Sequence, residues 1–146
     1  MNLYKLYERN GRRFVAATDR TGWYLNEDYT LSEKKTEKSI AICVLHTISK
    51  MVFCELNDNP LRMNWHYAKE YCSKKFLGHG RLPEIHELLI VRNYFRNIFP
   101  RSGMVWSSTE SSYYGVRLLG LISGDVYGGG KYSTCGRVFA FLTIDL

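Results

Sequence analysis

The apolar and polar positions of this chain follow two periods in turn. Alternation near the start, in Leu3-Tyr4-Lys5-Leu6-Tyr7 and Arg12-Arg13-Phe14-Val15, brackets Asn10-Gly11. That pair suits a tight turn whose residues need positive φ, so the pattern predicts a β-hairpin. Thr21-Gly22 marks a turn before Trp23-Tyr24-Leu25, and the polar residues 32–38 read as a loop or linker. Residues 40–45 and 51–56 are apolar and rich in β-branched types, which predicts a second strand pair ending at the turn Asn57-Asp58-Asn59-Pro60. The period then becomes helical. Asn64 is placed to cap a helix carrying Trp65, Ala68, Tyr71, Cys72 and Phe76 on one face, with Gly78 and Gly80 ending it. A second helix is expected from Leu82-Pro83-Glu84, with Ile85, Leu88, Leu89, Tyr94, Phe95 and Ile98 as its apolar face and Pro100 closing it. From Val105 onward the helical period is gone, and short strands with glycine turns lead to a last apolar strand over 138–144. The pattern predicts an α+β chain with two helices and short antiparallel strands.

At 146 residues and 45% hydrophobic, the chain can bury a core without staples. The longest apolar stretch, 39–56, is interrupted by His46, Ser49 and Lys50, so no membrane insertion is expected. The first residues carry charges throughout and do not read as a signal peptide. The net charge of +6 raises the question of a nucleic-acid partner. However, the basic residues are scattered as Arg12-Arg13, Lys34-Lys35, Lys74-Lys75 and singles, without interleaved aromatics, so a solvated surface is expected and no nucleic acid. Cys43, Cys54, Cys72 and Cys135 form no CxxC, and the four histidines show no HExxH spacing, so no metal and no cofactor are expected.

Residues 111–136 have an unusual composition. Seven are Gly, four Tyr and four Ser; Trp, Met, Glu and Gln are absent, and Lys131 is the only lysine. Ordinary usage of those five missing or depleted types would give roughly five residues. Tyr supplies rigid contact area while Ser and Gly supply adaptable polar contacts, the vocabulary of antibody binding loops. A glycine-rich meander without a binding role is the other reading. The five depleted types also share a genetic property: no codon ending in C or T encodes them. Every residue of 111–136 except Lys131 belongs to the set that such codons encode.

Met63-Asn64-Trp65 with Ala68 and Tyr71-Cys72, Arg81-Leu82-Pro83 with Glu87-Leu88, and Trp106-Ser107-Ser108-Thr109-Glu110 together resemble the C-type-lectin-like domains related to the formylglycine-generating-enzyme fold. Gly124, Val126, Lys131 and the closing 138–141 resemble the variable region of proteins targeted by diversity-generating retroelements. The resemblance covers 39–146, with the variable region at about 111–136, and finds no counterpart for residues 1–38. It implies a C-type-lectin-like fold; the β-hairpin segment and linker expected over residues 1–38 from their own pattern precede it, as an attachment or oligomerisation element. It further implies a rigid frame holding a mutable surface, as in phage receptor-binding proteins and bacterial adhesins, hence a virion-associated or cell-surface location. The implied partner is a protein or glycan on a cell surface. Two departures stand out. Cys135-Gly136-Arg137-Val138 occupies the place of the family's Val-Arg-Pro-Val, and a Cys72–Cys135 bridge of the kind found in animal lectins is left open.

A period-2 reading of 118–122 turns Leu119 and Leu121 inward and leaves Arg117, Leu118, Gly120 and Ile122 outward or in bends. Ser112, Tyr113, Tyr114 and Gly115 form one neighbouring loop. Asp125, Tyr127, Gly128, Gly129 and Gly130, then Tyr132, Ser133 and Thr134, form the other. These sixteen residues are the expected ligand-binding surface. The four tyrosines are its anchors and Arg117 and Asp125 its charged contacts. Trp65, Trp106 and the Arg81-Leu82-Pro83 turn are expected to be scaffold. An enzyme of the formylglycine-generating class would need a reactive cysteine pair, which Cys135 alone does not supply. A calcium-dependent sugar binder would need an oxygen-rich loop, which Asp125 among glycines does not supply. The expectation is a binding module with no catalytic residue.

Overall fold

The computed structural model describes residues 19–146; the hairpin expected around Asn10-Gly11 lies outside them. The chain divides into two compact units, one running to Leu56 and including Leu142–Leu146, the other Asn57–Phe141.

The first unit is built on a five-stranded sheet. Its strands are β1 (Tyr24–Asn26), β2 (Leu31–Ser32), β3 (Ser39–His46), β4 (Lys50–Glu55) and, from the C-terminus, β10 (Phe141–Asp145), in the order β10-β4-β3-β1-β2, and β1 to β4 pair antiparallel. The expected strand pair forms with Ile42 opposite Cys54 and Cys43 opposite Phe53. Ala41, Cys43, Met51, Val52, Phe53 and Cys54 are fully buried. Burial pushes the Cys43 thiol up to about 12, so it is an inert apolar filler. The expected boundary after residue 38 does not divide the units. β1 pairs with β3 across it, Tyr24 opposite Ile42 and Leu25 opposite Ala41, and Leu25 is fully buried. Residues 33–38 are a short connection, closed by the Glu27 amide donating to the Lys38 carbonyl at 2.8 Å, rather than a linker.

The second unit holds both helices and a second sheet. Asn64 caps α1 (Trp65–Lys74), its side chain accepting from the Tyr67 amide at 2.9 Å. α2 (Ile85–Tyr94) opens with a reciprocal capping box between Glu84 and Glu87. It is shorter than expected: Phe95 leaves helical backbone at φ −132°, and the chain turns so that Phe99 packs on Phe139 with ring centroids 4.7 Å apart. The sheet runs β5 (Arg62–Met63), β9 (Gly136–Arg137), β6 (Met104–Glu110), β7 (Gly115–Gly120), β8 (Val126–Gly130). All its pairings are antiparallel except β6 with β9. The expected terminal strand 138–144 is interrupted: 138–140 are buried and not strand, and β9 and β10 lie on either side of them.

The architecture is therefore mixed α and β, with two helices and predominantly antiparallel sheets, as the pattern predicts. All four cysteines are free. Cys72 is buried with its sulfur 3.8 Å from the Phe139 carbonyl, so no Cys72–Cys135 bridge forms.

Candidate functional site

The frame under the glycine- and tyrosine-rich stretch is held by buried polar contacts. Trp106, fully buried on β6, donates its indole N–H to the Met63 carbonyl at 2.7 Å. Trp65 donates its indole N–H to the Ser107 carbonyl at 2.9 Å, and the Ser107 hydroxyl donates to the Arg117 carbonyl at 2.7 Å. These bonds tie the start of α1 to β6, and β6 to β7. Beneath α2, Arg81 grips buried Glu87 with two hydrogen bonds of 2.7 Å. Burial alone would raise the Glu87 pKa, but the Arg81 bonds, the Glu84 amide and the Arg81 charge together hold it below its ordinary value. Both tryptophans and the Arg81 turn are thus built into the frame.

On this frame the expected surface residues divide by position. Ser112, Tyr113, Tyr114, Arg117, Ile122, Asp125, Tyr127, Gly128, Gly130, Tyr132, Ser133 and Thr134 are exposed, and Gly115 and Gly129 are half-buried. Leu118 and Gly120 are buried, against expectation. The strand alternates correctly, but both of its faces are covered there. Leu118 lies so close to Gly129 that a Cβ there would meet its Cδ1 at 2.5 Å, and Gly120 lies under the Tyr127 ring, which a Cβ would meet at the same distance. Neither residue offers a side chain to a ligand.

The exposed residues form two clusters at opposite ends of the β7–β8 pair. Its register runs from Gly115 opposite Gly130 to Leu119 opposite Val126, about 13 Å along the strands. The first cluster joins the 111–114 loop to the 131–134 loop. The rings of Tyr113 and Tyr114, 81% and 74% exposed, meet edge to face at 4.8 Å. Tyr132 rests against His66 at 5.1 Å. Lys131 lies between these groups. Its amide donates to the Tyr114 carbonyl at 3.1 Å, its carbonyl accepts from the Trp65 amide at 2.9 Å, and its ammonium lies 2.8 Å from Glu110. That ammonium is also 5.0 Å from the Trp65 ring and 5.7 Å from the Tyr113 ring. The Lys131 hydrogen bond, then its charge, keep the Glu110 carboxyl below its ordinary pKa. Glu110 and His66 belong to the site and were not among the expected residues. Glu110 closes the Trp106–Glu110 motif, whose order in the sequence carries no sign that its last side chain would turn to the loops.

The second cluster is the turn between β7 and β8. Arg92 of α2 donates to the carbonyls of Leu121 and Ile122 at 3.0 and 2.9 Å, fixing the turn from below. Tyr127 and Ser123 share a hydroxyl contact of 3.3 Å. Beside them lies an apolar groove of about 440 Å³, lined by Leu118, Gly120, Ile122, Tyr127, Met104 and Cys135 among others.

No family model matches the chain, and no curated protein does. Among solved structures, the crystal structure of botrocetin is similar over 65% of this chain and 91% of its own, at 10% identity and a TM-score of 0.44.

Chemically, the first cluster can stack, hydrogen-bond and pair charge. Its three phenols are held on loops tied at their bases, so little rotational freedom is lost on contact. Among the described residues no group of three or more His, Cys, Asp or Glu side chains could hold a metal ion, and no helix is long and apolar enough to cross a membrane.

Proposed function

We propose that this chain is a binding protein that captures a protein or glycan on a cell surface through the tyrosine loops of its second unit, and that it is not an enzyme. The observation that carries the reading is the exposure of Tyr113, Tyr114 and Tyr132 on loops anchored by Lys131. Three large aromatic side chains left mostly in water, each 74% exposed or more, are costly to display unless a partner covers them. Phenol rings stack on sugar faces as readily as they fill protein pockets.

The finer reading is a C-type-lectin-like variable protein of a diversity-generating retroelement, carried on a phage tip or a bacterial surface. It is supported by the restricted residue set of 111–136 and by where its members lie. Most are exposed, while Lys131, the one residue outside the set, is the one that ties the loops down. Two experiments test the proposal separately. Wild type and the triple variant Tyr113→Ala, Tyr114→Ala, Tyr132→Ala are screened against immobilised glycans and whole bacterial cells; capture by wild type and its loss in a stably folded variant is expected, and capture that survives overturns the site. The gene is sequenced with its neighbourhood. Codons 111–136 ending in C or T, beside a near-identical adenine-rich copy and a reverse-transcriptase gene, are expected. Codons without that bias and no such copy overturn the diversification reading alone.

A further inference from the structure

Among the described residues, β8 is the outer strand of its sheet and pairs only with β7. The phase of that pairing is fixed at both ends. The Gly120 amide donates to the Asp125 carbonyl at 2.9 Å, and the Lys131 amide donates to the Tyr114 carbonyl at 3.1 Å. In an antiparallel ladder, residues alternate between facing the partner strand and facing away. Residues 125, 127, 129 and 131 therefore face β7, and Val126, Gly128 and Gly130 turn their N–H and C=O groups outward. The Gly130 carbonyl also accepts from the Ser133 amide at 3.0 Å, which leaves it a second lone pair. Edge strands usually carry a charge, a proline or a bulge that prevents pairing. Val126–Gly130 has none of these, and a Cβ at Gly128 or Gly130 would meet nothing within 4 Å.

We propose that β8 is a self-association edge, through which two copies of this chain pair antiparallel about a two-fold axis at Gly128 and join their sheets. Three independent features of the strand agree with that axis. The outward groups match in phase, Gly128 with Gly128 and Val126 with Gly130, giving about six hydrogen bonds. Every bulky residue meets a glycine: Val126 faces Gly130 and Tyr127, whose ring lies over Gly120 of its own strand pair, faces Gly129, so no side chains collide. Finally, no like charges collide at the ends: Asp125 of one copy comes opposite Lys131 of the other, whose ammonium is already paired with Glu110. A one-residue slip would put inward-facing groups against outward-facing ones. The inference stands whatever the tyrosine loops bind. Because those loops lie beyond the end of β8, pairing would set two of them on one particle and raise capture of a multivalent surface without any new ligand contact.

The test is sedimentation velocity on the full chain from micromolar to millimolar concentration. Wild type is expected to dimerise reversibly and weakly, because one strand pair buries less than a standard interface. Gly128→Pro removes an outward N–H that β7 does not use, and edge strands tolerate proline, so it should keep the circular dichroism spectrum and weaken the dimer by about tenfold or more. Gly128→Ala keeps the N–H and fills open space, so it should dimerise like wild type. If Gly128→Pro fails to fold, amide exchange on wild type decides instead: Val126, Gly128 and Gly130 must gain protection as concentration rises. A chain monomeric at every concentration, a Gly128→Pro dimer as tight as wild type, or protection that ignores concentration overturns the proposal.

Discussion

The ammonium of Lys131 lies 2.8 Å from a carboxylate oxygen of Glu110, joining the end of β6 to the residue that follows β8. The same lysine binds the tyrosine loop and the start of α1 through its backbone. One residue thus joins residues 110–114 to the start of α1, more than forty positions earlier in the sequence, and the loops on either side of it carry the exposed phenols.

Removing the Lys131 side chain should therefore loosen loops without unfolding the unit. In Lys131→Ala the backbone bonds can persist, but the ammonium's hold on Glu110 and on the Tyr113 ring is gone. Amide exchange should quicken in residues 111–115 and 131–134 and stay unchanged in β3 and β4. Uniform exchange across both regions would show that the ion pair does not order the loops.

Exposed and buried members of the same stretch should respond oppositely to truncation. Tyr113→Ala, Tyr114→Ala and Tyr132→Ala should each change stability by no more than about 0.5 kcal/mol, since each side chain stands in solvent. Leu118→Ala should cost about 2–5 kcal/mol, because Leu118 is 1% exposed. Thermal unfolding of the four variants checks both statements.

Gly136 should be as constrained as any core residue although it ends the glycine- and tyrosine-rich stretch. A Cβ there would sit 2.5 Å from the indole nitrogen of Trp106, which is fully buried and hydrogen-bonded to Met63, so the ring has nowhere to go. Gly136→Ala should destabilise the protein by about 1–3 kcal/mol in denaturant unfolding. If natural variants of 111–136 exist, their differences should avoid Leu118, Gly120, Lys131 and Gly136 and gather at exposed positions such as Tyr113, Tyr114 and Asp125.

The Arg81–Glu87 pair gives stability a defined acid dependence. The Glu87 pKa is lowered on folding, so its contribution is complete above the unfolded value near 4.5 and is lost as pH falls through the lower folded value. Unfolding free energy should drop below about pH 4.5 more steeply in wild type than in Glu87→Gln, which cannot titrate there. Glu87→Ala, which removes both Arg81–Glu87 hydrogen bonds, should cost about 1.5–3 kcal/mol at neutral pH. Identical acid profiles for wild type and Glu87→Gln would remove Glu87 from this role.

The elements legible beforehand are those whose signals are local. Asn64 caps α1 because its side chain reaches an amide three residues on, and Glu84 and Glu87 close their box within one turn. The β3–β4 pair follows from two apolar runs with a short polar bend between them. The exposure of the four tyrosines was legible too, since the composition of 111–136 already suited a contact surface. Failure began wherever a residue's fate depended on what lies across from it. Leu118 alternates with its neighbours as an outward residue should, yet the same face of its strand carries Trp106 and Gly129. The end of α2 at Tyr94 depends on Phe99 reaching Phe139, forty positions further along.

The sequence by itself therefore determined the kinds of element, the helix starts and the residue types on offer for contact. These are settled within a few positions by backbone sterics, capping and period. Only the tertiary structure decided that the exposed residues of 111–134 fall into two clusters rather than one, that Lys131 and Glu110 meet, and that β8 lies at the edge of its sheet among the described residues. Those are outcomes of strand order and register, which link segments with no local trace of one another.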